Sequence, residues 1–255
     1  MRFASLGSGS EGNALVVEAG NSRVMLDCGF SAAETVRRLA RLGLEPGAIA
    51  AVLVTHEHGD HVGGAARFAR RFGIPVYLSH GTRIAAASGG NDFADAIIID
   101  SHTPFAVGDL EIFPYPVPHD AREPTQFVFG DGAHRLGVLT DAGSSTPHIE
   151  QMLSGLEALV IECNHDREML LGGNYPERLK QRISGRYGHL DNGQAAAILA
   201  SIDRSSLQHV VAAHLSLRNN RPELACAALA GALCCSDEWI GVATQTEGFG
   251  WRMIA

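Results

Sequence analysis

Lysine is almost missing from this chain: Lys180 is the only one among 20 basic residues, and the rest are arginine. A codon bias is the preferred explanation over a wholesale demand for bidentate phosphate contacts by arginine. Positive charge is also in the minority. The net charge of −8 argues against a broad nucleic-acid-coating face, although a local basic patch is still compatible with it. Long apolar runs are absent, so no segment reaches the roughly 18 residues that a membrane-spanning helix needs. The N-terminal stretch MRFASLGSGSEGNA has no basic start followed by an apolar segment, and no secretion signal is expected. Cysteines are few and odd in number (Cys28, Cys163, Cys226, Cys234 and Cys235), with no C-x-x-C pair. That pattern favours reduced, mostly buried thiols in a cytoplasm over a disulfide framework. No internal repeat, linker or low-complexity segment interrupts the 255 residues.

What is present is a hydrophobic fraction of 45%, enough for a real core, arranged in short apolar segments cut by glycine. FASLG, ALVVEAG and RVMLDCG read as strands, with AGNSR as a hairpin turn. Residues 31–43 place Val36, Leu39, Ala40 and Leu42 at helical spacing, between a capping Ser31 and a stop at Gly43. AIAAVLVT is a buried strand, VGGAARFARRFG a helix and PVYLS another strand. Further strands are expected at LEIFPYPV, QFVFG, RLGVLT, ALVIEC, HVVAAH and WIGVAT. Helices are expected at TPHIEQMLSG, NGQAAAILASI and RPELACAALAGAL. Strands and helices mix throughout, so sheets covered by helices are expected. Several strands end on an ionisable residue: Asp27, His56, Asp141 and His214. Such strand-end loops are where sites usually lie.

The densest chemistry is VTHEHGDHVGG, residues 54–64, which holds three histidines and an aspartate within six positions. In extended chain His56 and His58 face the same side and can share an ion. Asp60 and His61 follow at the turn and can face a second, with Gly59, Gly63 and Gly64 letting the backbone pack close to the metals. One loop rarely completes two coordination spheres. His119, Asp141 and His214 are the candidates for the remainder, giving five histidines and two aspartates. Nitrogen and oxygen donors of this kind suit Zn²⁺, and also Mn²⁺ or Fe. Taken singly, His119 or His214 would more often be an ordinary core or surface residue; the H-x-H-x-D-H loop has no such bland explanation.

The run T-H-x-H-x-D-H-x-G-G resembles the signature of the metallo-β-lactamase superfamily. Asp27, His119, Asp141 and His214 fall in order where its other motifs fall. The resemblance implies one hydrolase domain over residues 1–255, a four-layer αββα sandwich with a dinuclear centre between its sheets. It implies that His56, His58 and His119 hold one ion, that Asp60, His61 and His214 hold the other, and that Asp141 bridges them. Asp27 would orient a ligand or the loop. Two ions about 3.5–4 Å apart can share a hydroxide and neutralise charge on an attacked group, which makes hydrolysis the default chemistry. The oxygen-reducing di-iron relatives carry Glu where this chain has His58, so a redox role is set aside.

ALVIECNHD (158–166), GRYGHLDNGQAAAILA (185–200) and HLSLRNN (214–220) resemble the matching stretches of ribonuclease Z-type phosphodiesterases. SLGSGSEGNA, E-x-N-H-D, R-I-S-G-R-x-G-H-L and H-L-S-x-x-N-N resemble the YycJ/WalJ group more specifically. That group implies cytoplasmic bacterial nucleases with 5′→3′ DNA exonuclease activity. Cys163 and Asp191 depart from its pattern, where Ala and Ser are usual, and Asp191 brings negative charge close to an expected phosphate. Breaking a P–O bond needs a proton for the leaving oxygen. His189 is the candidate acid and Glu162 the partner that keeps it charged; Asp60 is counted with them as catalytic. Arg186, Asn164, Arg218 and Asn220 are the candidate substrate contacts. Arg178, Lys180 and Arg182 share the run ERLKQRISGRYG with Arg186, and Arg178 and Lys180 are read as a solvated helix face. His165 and Asp166 would line the cleft or pair with each other. The loop 7–13 could offer amides to a phosphate, but a tight connection at the cleft edge is the preferred reading.

The substrate expected is nucleic acid, DNA more than RNA. The alternatives are a small cyclic or phosphonate-pathway phosphodiester, a thioester as in glyoxalase II-like proteins, and a metal-stabilised interaction module. The missing C-terminal helical domain and the Glu162/His189 pair count against the thioesterase. A full ligand set counts against the module, since a structural metal needs only four ligands.

Overall fold

Strand residues that alternate between two apolar faces must be covered on both sides, and that requirement sets the architecture. The computed structural model describes residues 1–255. Strands β1 (Arg2–Gly7), β2 (Ala14–Ala19), β3 (Ser22–Leu26), β4 (Ala51–Leu53), β5 (Val76–Ser79) and β6 (Ile97–Ile99) come first. The second series is β7 (Phe105–Val107), β8 (Leu110–Pro116), β9 (Thr125–Gly130), β10 (Arg135–Leu139), β11 (Ala158–Glu162), β12 (His209–Ala213) and β13 (Gly241–Val242). A last strand, β14 (Phe249–Met253), returns to pair with β1. The two seven-stranded sheets have the orders β14-β1-β2-β3-β4-β5-β6 and β13-β12-β11-β10-β9-β8-β7. Each is mixed: β3 to β6 are parallel in one, β10 to β13 in the other, and the remaining pairs are antiparallel.

The helices are α1 (Ala32–Arg41), α2 (Gly59–Val62), α3 (Ala65–Phe72), α4 (His80–Ser88), α5 (Pro147–Met152), α6 (Arg167–Gly172), α7 (Glu177–Ile183), α8 (Asn192–Ser201) and α9 (Pro222–Leu233). Three apolar clusters separate four layers. Val16, Met25 and Val52 meet Leu39 of α1 and Phe68 of α3 outside the first sheet. Their strand neighbours Val17, Leu26 and Leu53 point the other way and meet Phe127, Phe129 and Val160 between the sheets. On the far side Leu159 and Ile161 meet Ile149 of α5, Ile198 of α8 and Leu229 of α9. This is the αββα sandwich expected from the sequence.

Every strand and helix expected from periodicity is present, some shortened; WIGVAT contributes only Gly241–Val242 to a sheet. Sequence pattern missed β6, β7, β14, α4 and α6. Strands β6 and β7 are only three residues each, too short for an alternation to show. Helix α4 is built from small and polar residues and starts where Ser79 accepts from the Thr82 amide. The thiols are all free, but they are not mostly buried as expected: Cys28 and Cys163 are buried, Cys226 is half-buried, and Cys234 and Cys235 are exposed on the α9 terminus.

One arginine ties the two chain ends together behind the site. Arg38 of α1 lies over the Phe30 ring, pairs with Glu34, and donates to the carbonyls of Leu6 (2.7 Å) and Gln245 (3.0 Å). Without it the Leu6 carbonyl keeps Arg41 Nη2 (2.9 Å), but the Gln245 carbonyl would be left without its donor. Arg38→Met should therefore destabilise the fold by about 1–3 kcal/mol, measured by urea unfolding. A loss below about 0.5 kcal/mol, within the range of an ordinary surface substitution, would remove it from this role.

Candidate metal centre and active-site cleft

The carboxyl ends of the parallel strands in both sheets converge on one edge of the sandwich, the usual place for a ligand site in open α/β sheets. At three of those ends the backbone is left-handed: Asp27 after β3 (φ 60°), Asp141 after β10 (φ 53°) and His214 after β12 (φ 54°). Non-glycine residues adopt this conformation rarely, at a cost of order 1 kcal/mol each. Three of the four such residues in the chain carry candidate site chemistry.

Asp27 organises the loop after β4. Its Oδ1 accepts the Thr55 amide (2.8 Å), and its Oδ2 lies 2.8 Å from Nδ1 of His61. Fixing Nδ1 leaves Nε2 of His61 aimed inward, 3.0 Å from Asp141 Oδ2 and 3.4 Å from Asp60 Oδ2. Thr55 Oγ1 sits 2.9 Å from Nδ1 of His56, whose Nε2 is buried with no partner. His119 donates from Nδ1 to the Gly188 carbonyl (2.9 Å) and turns Nε2 towards His58 Nδ1, 3.3 Å away. His214 Nε2 faces Asp60 Oδ2 (3.3 Å) and Asp141 Oδ1 (3.6 Å). In each histidine whose outer nitrogen is held, the inner one is free to coordinate.

The donor atoms fall into four overlapping groups, each within 4.8 Å: His56, His58 and His119; Asp60, His61 and His214; His56, His61 and Asp141; and Asp141, Glu162, His189 and His214. Asp141 Oδ2 is buried and makes no hydrogen bond despite the nearby imidazole. An unpartnered imidazole nitrogen and an unpartnered carboxylate oxygen, both buried and both facing this space, are the signature of donors left for a cation. The residues therefore fit divalent metal ions. Titration follows the same crowding. Burial and the charge on His61 press His56 down. Burial also works against charging His61, but Asp141, Asp27 and Asp60 carry it well above its usual range.

Beside these donors lie Glu162 and His189, the candidate acid and its partner. Glu162, at the end of β11, is fully buried and accepts the amides of Ala142 (3.0 Å) and Leu190 (3.2 Å) on Oε2. Its Oε1 lies 2.7 Å from His189 Nδ1. Burial raises a carboxyl pKa, but the adjacent His189 overcomes it and holds Glu162 down to about 2. Burial alone would lower His189; the Glu162 carboxylate beside it raises it instead. An open cleft of about 460 Å³ runs past His58, Asp60, Asp141, His189 and His214, with Ser10, Asp120, Tyr175 and Arg182 among its other walls.

The candidate substrate contacts are placed differently from the metal donors. Asn164 is buried and donates to the His214 carbonyl (3.2 Å), so it positions that residue. Asn220 is buried and spends its amide on the Cys163 carbonyl (2.7 Å) and on Asn192, out of the cleft. Arg218 is exposed and lines no part of the cleft. Arg186 is exposed as well, with its guanidinium 5.8 Å from the centre of the Tyr187 ring. Asp166 caps α6 through the Met169 amide, and His165 is buried with Nδ1 unpartnered; neither borders the cleft. Asp191 is spent on a capping box with Gln194 at the start of α8. The loop 7–13 directs its amides inward, Gly9 to Asn13 Oδ1 and Glu11 to Gln245, as a tight connection would. Asn13 escaped sequence reasoning: its amide reaches Asp60 Oδ2 (3.3 Å) and lies 3.1 Å from His61 Nε2. So did Asp120, although it adjoins His119. The glycines serve packing between loops rather than approach to an ion. A Cβ on Gly64 would lie 1.7 Å from the Phe30 carbonyl and one on Gly29 1.8 Å from the Asp60 carbonyl, whereas Gly59 has open space around it.

Two stacked mixed sheets between helices, with an H-x-H-x-D-H loop at their common edge, define the metallo-β-lactamase-fold class of hydrolases. The chain belongs to that superfamily: the family model described as "Beta-lactamase superfamily domain" matches residues 22–214. Exodeoxyribonuclease YycJ of Bacillus anthracis is 35% identical over 231 residues, covering 88% of this chain and 86% of that one. Exodeoxyribonuclease WalJ of Streptococcus pneumoniae is 31% identical over 245 residues, 94% and 91% of the two chains. Among solved structures, the metallo-beta-lactamase fold protein YhfI from Bacillus subtilis superposes with a TM-score of 0.75 at 14% identity, over 99% of both chains. The short form of human tRNase Z gives 0.69 at 16% identity over the whole of both chains. These two likenesses establish the fold. No helix is long and apolar enough to cross a membrane.

Asp27→Ala should leave the Thr55 amide and His61 Nδ1 unpaired. Such outer partners are worth about 10–100-fold in metal affinity. Competition with a chromophoric chelator should show a loss of that order, and an affinity equal to wild type would mean that Asp27 does not orient His61.

Proposed function

We propose that this chain is a two-metal phosphodiesterase that hydrolyses DNA as an exonuclease. The observation that carries the reading is the placement of His189, held by the buried Glu162, in the same cleft as members of two metal-donor groups. The names of its relatives, exodeoxyribonucleases over about nine-tenths of the chain, favour DNA over RNA. The 255 residues act as one hydrolase domain, and five free thiols suit a reducing cytoplasm.

His56, His58 and His119 would hold one ion and Asp60, His61 and His214 the other, with Asp141 between them. Zn²⁺ or Mn²⁺ suits this donor set, and Fe is compatible. Bound there, the ions supply an activated water and neutralise charge on the attacked phosphoryl group. The protein's own contribution is the proton. Glu162 engages Nδ1 of His189, so the nitrogen left to face the cleft is Nε2. The imidazolium donates from Nε2 to the departing deoxyribose oxygen, and Glu162 stabilises the charge until that moment. Asp60 combines ligand and catalytic roles by holding His214 and the His61 side of the centre in register.

Elemental analysis after reconstitution and desalting should find two equivalents of metal per chain, and Asp141→Ala at most one. A wild-type protein that never exceeds one equivalent would sink the dinuclear assignment. His189→Ala should keep its metal and lose about 10²–10⁴-fold in kcat on an oligodeoxynucleotide, the usual worth of a general acid. The loss should shrink on bis(p-nitrophenyl) phosphate, whose leaving group needs no proton. Equal losses on both substrates would make His189 a phosphate-binding group and not the acid.

A further inference from the structure

The cleft is short of positive charge. Asp60, Asp120 and Asp141 line it, and Arg182 is the only arginine or lysine among its walls. Arg182 projects from α7, and its guanidinium is anchored, not free: Nε donates to Asp120 Oδ2 at 2.6 Å. The other oxygen of Asp120 reaches inward, 3.5 Å from His119 Nε2 and 3.9 Å from His58 Nε2. Asp120 thus spans from the candidate metal donors to the arginine. With Nε engaged, the two terminal nitrogens of Arg182 remain available, and a planar pair of N–H donors matches two oxygens of a phosphate. Its side chain is 62% exposed, so an incoming anion can reach it without displacing protein.

We propose that Arg182, positioned by Asp120, binds the phosphate adjacent to the scissile one and so selects substrates that carry consecutive phosphodiesters over isolated ones. The assignment rests on the phosphodiesterase reading and names the substrate feature that the same site recognises. It moves the phosphate contact from Arg186, which stands outside the cleft, to a neighbour on the same basic run. An isolated phosphodiester offers Arg182 less than an oligonucleotide does, because it lacks the second phosphate.

The test compares metal-loaded wild type, Arg182→Ala, Asp120→Asn and the double variant on a fluorescein-labelled single-stranded oligodeoxynucleotide and on bis(p-nitrophenyl) phosphate. Arg182→Ala should lose roughly tenfold more kcat/KM on the oligonucleotide than on the small ester, mainly through KM, as expected for a charge-assisted hydrogen bond. The dependence of log kcat/KM on log salt should become shallower by about 0.7, one phosphate contact on a single strand. Asp120→Asn should raise KM in the same direction, and adding it to Arg182→Ala should cost little more, because it acts through the arginine. Equal losses on both substrates, or an unchanged salt slope, would overturn the proposal. If wild type cleaves only the small ester, the nuclease reading fails, and the oligonucleotide then serves as an inhibitor. Its inhibition constant should rise about tenfold in Arg182→Ala, and an unchanged constant would overturn the role of Arg182 as well.

Discussion

Four carboxylates, Asp27, Asp60, Asp141 and Glu162, share a mostly buried space with the imidazoles of His56, His61, His119, His189 and His214. Negative groups brought this close in low dielectric repel one another strongly, and each is expensive to bury alone. Only positive charge interleaved among them makes the arrangement tenable. Histidines provide part of it, which is why the Asp60 and Asp141 carboxyls stay ionised far below their usual range despite burial, with His61 and His214 the main opposing charges. The orphaned atoms His56 Nε2 and Asp141 Oδ2 show where imidazoles alone do not suffice. Divalent cations, which the fold implies and these donors fit, would complete that balance.

The rest of the fold serves to hold this charge cluster against its own repulsion. Rigid parallel strands deliver the donors from both sheets, and left-handed residues at Asp27, Asp141 and His214 turn each chain sharply at the strand end. The penalty of that backbone geometry is spread over two sheets whose three apolar layers are almost fully buried. Outer partners then set each ring: Asp27 for His61, Gly188 for His119, and Glu162 with Asn164 at Nδ1 of His214. Glu162 belongs to the same economy, since it anchors two amides as well as His189.

The segment between β11 and α8 brings Tyr175 and the α7 residues Leu179, Arg182 and Ile183 to one side of the cleft, and the proposed substrate selection falls to it. Its only arginine or lysine in the cleft, Arg182, stands among three aspartates on an acidic protein. Long-range attraction for a polyanion is therefore weak in the absence of metal, and recognition must be local.

The sequence by itself determined the layered α/β architecture and the loop from His56 to His61, because both are written in local patterns. Two-residue alternation marks strands, and H-x-H-x-D-H has no ordinary structural use. It also marked His119, Asp141 and His214, since each follows a readable strand. Only the tertiary structure decided which polar residues face the cleft. Asn164 and Asn220 stand in motif positions as promising as that of His189, yet both are consumed by buried hydrogen bonds. Arg182 and Arg186 sit four residues apart, but α7 ends at Ile183, so the chain turns away and only Arg182 keeps its helical bearing towards Asp120. Asn13 and Asp120 meet the centre across 47 and 62 residues of chain, at Asp60 and at His58. Contacts that span such distances depend on how sheets stack, and no local pattern encodes them.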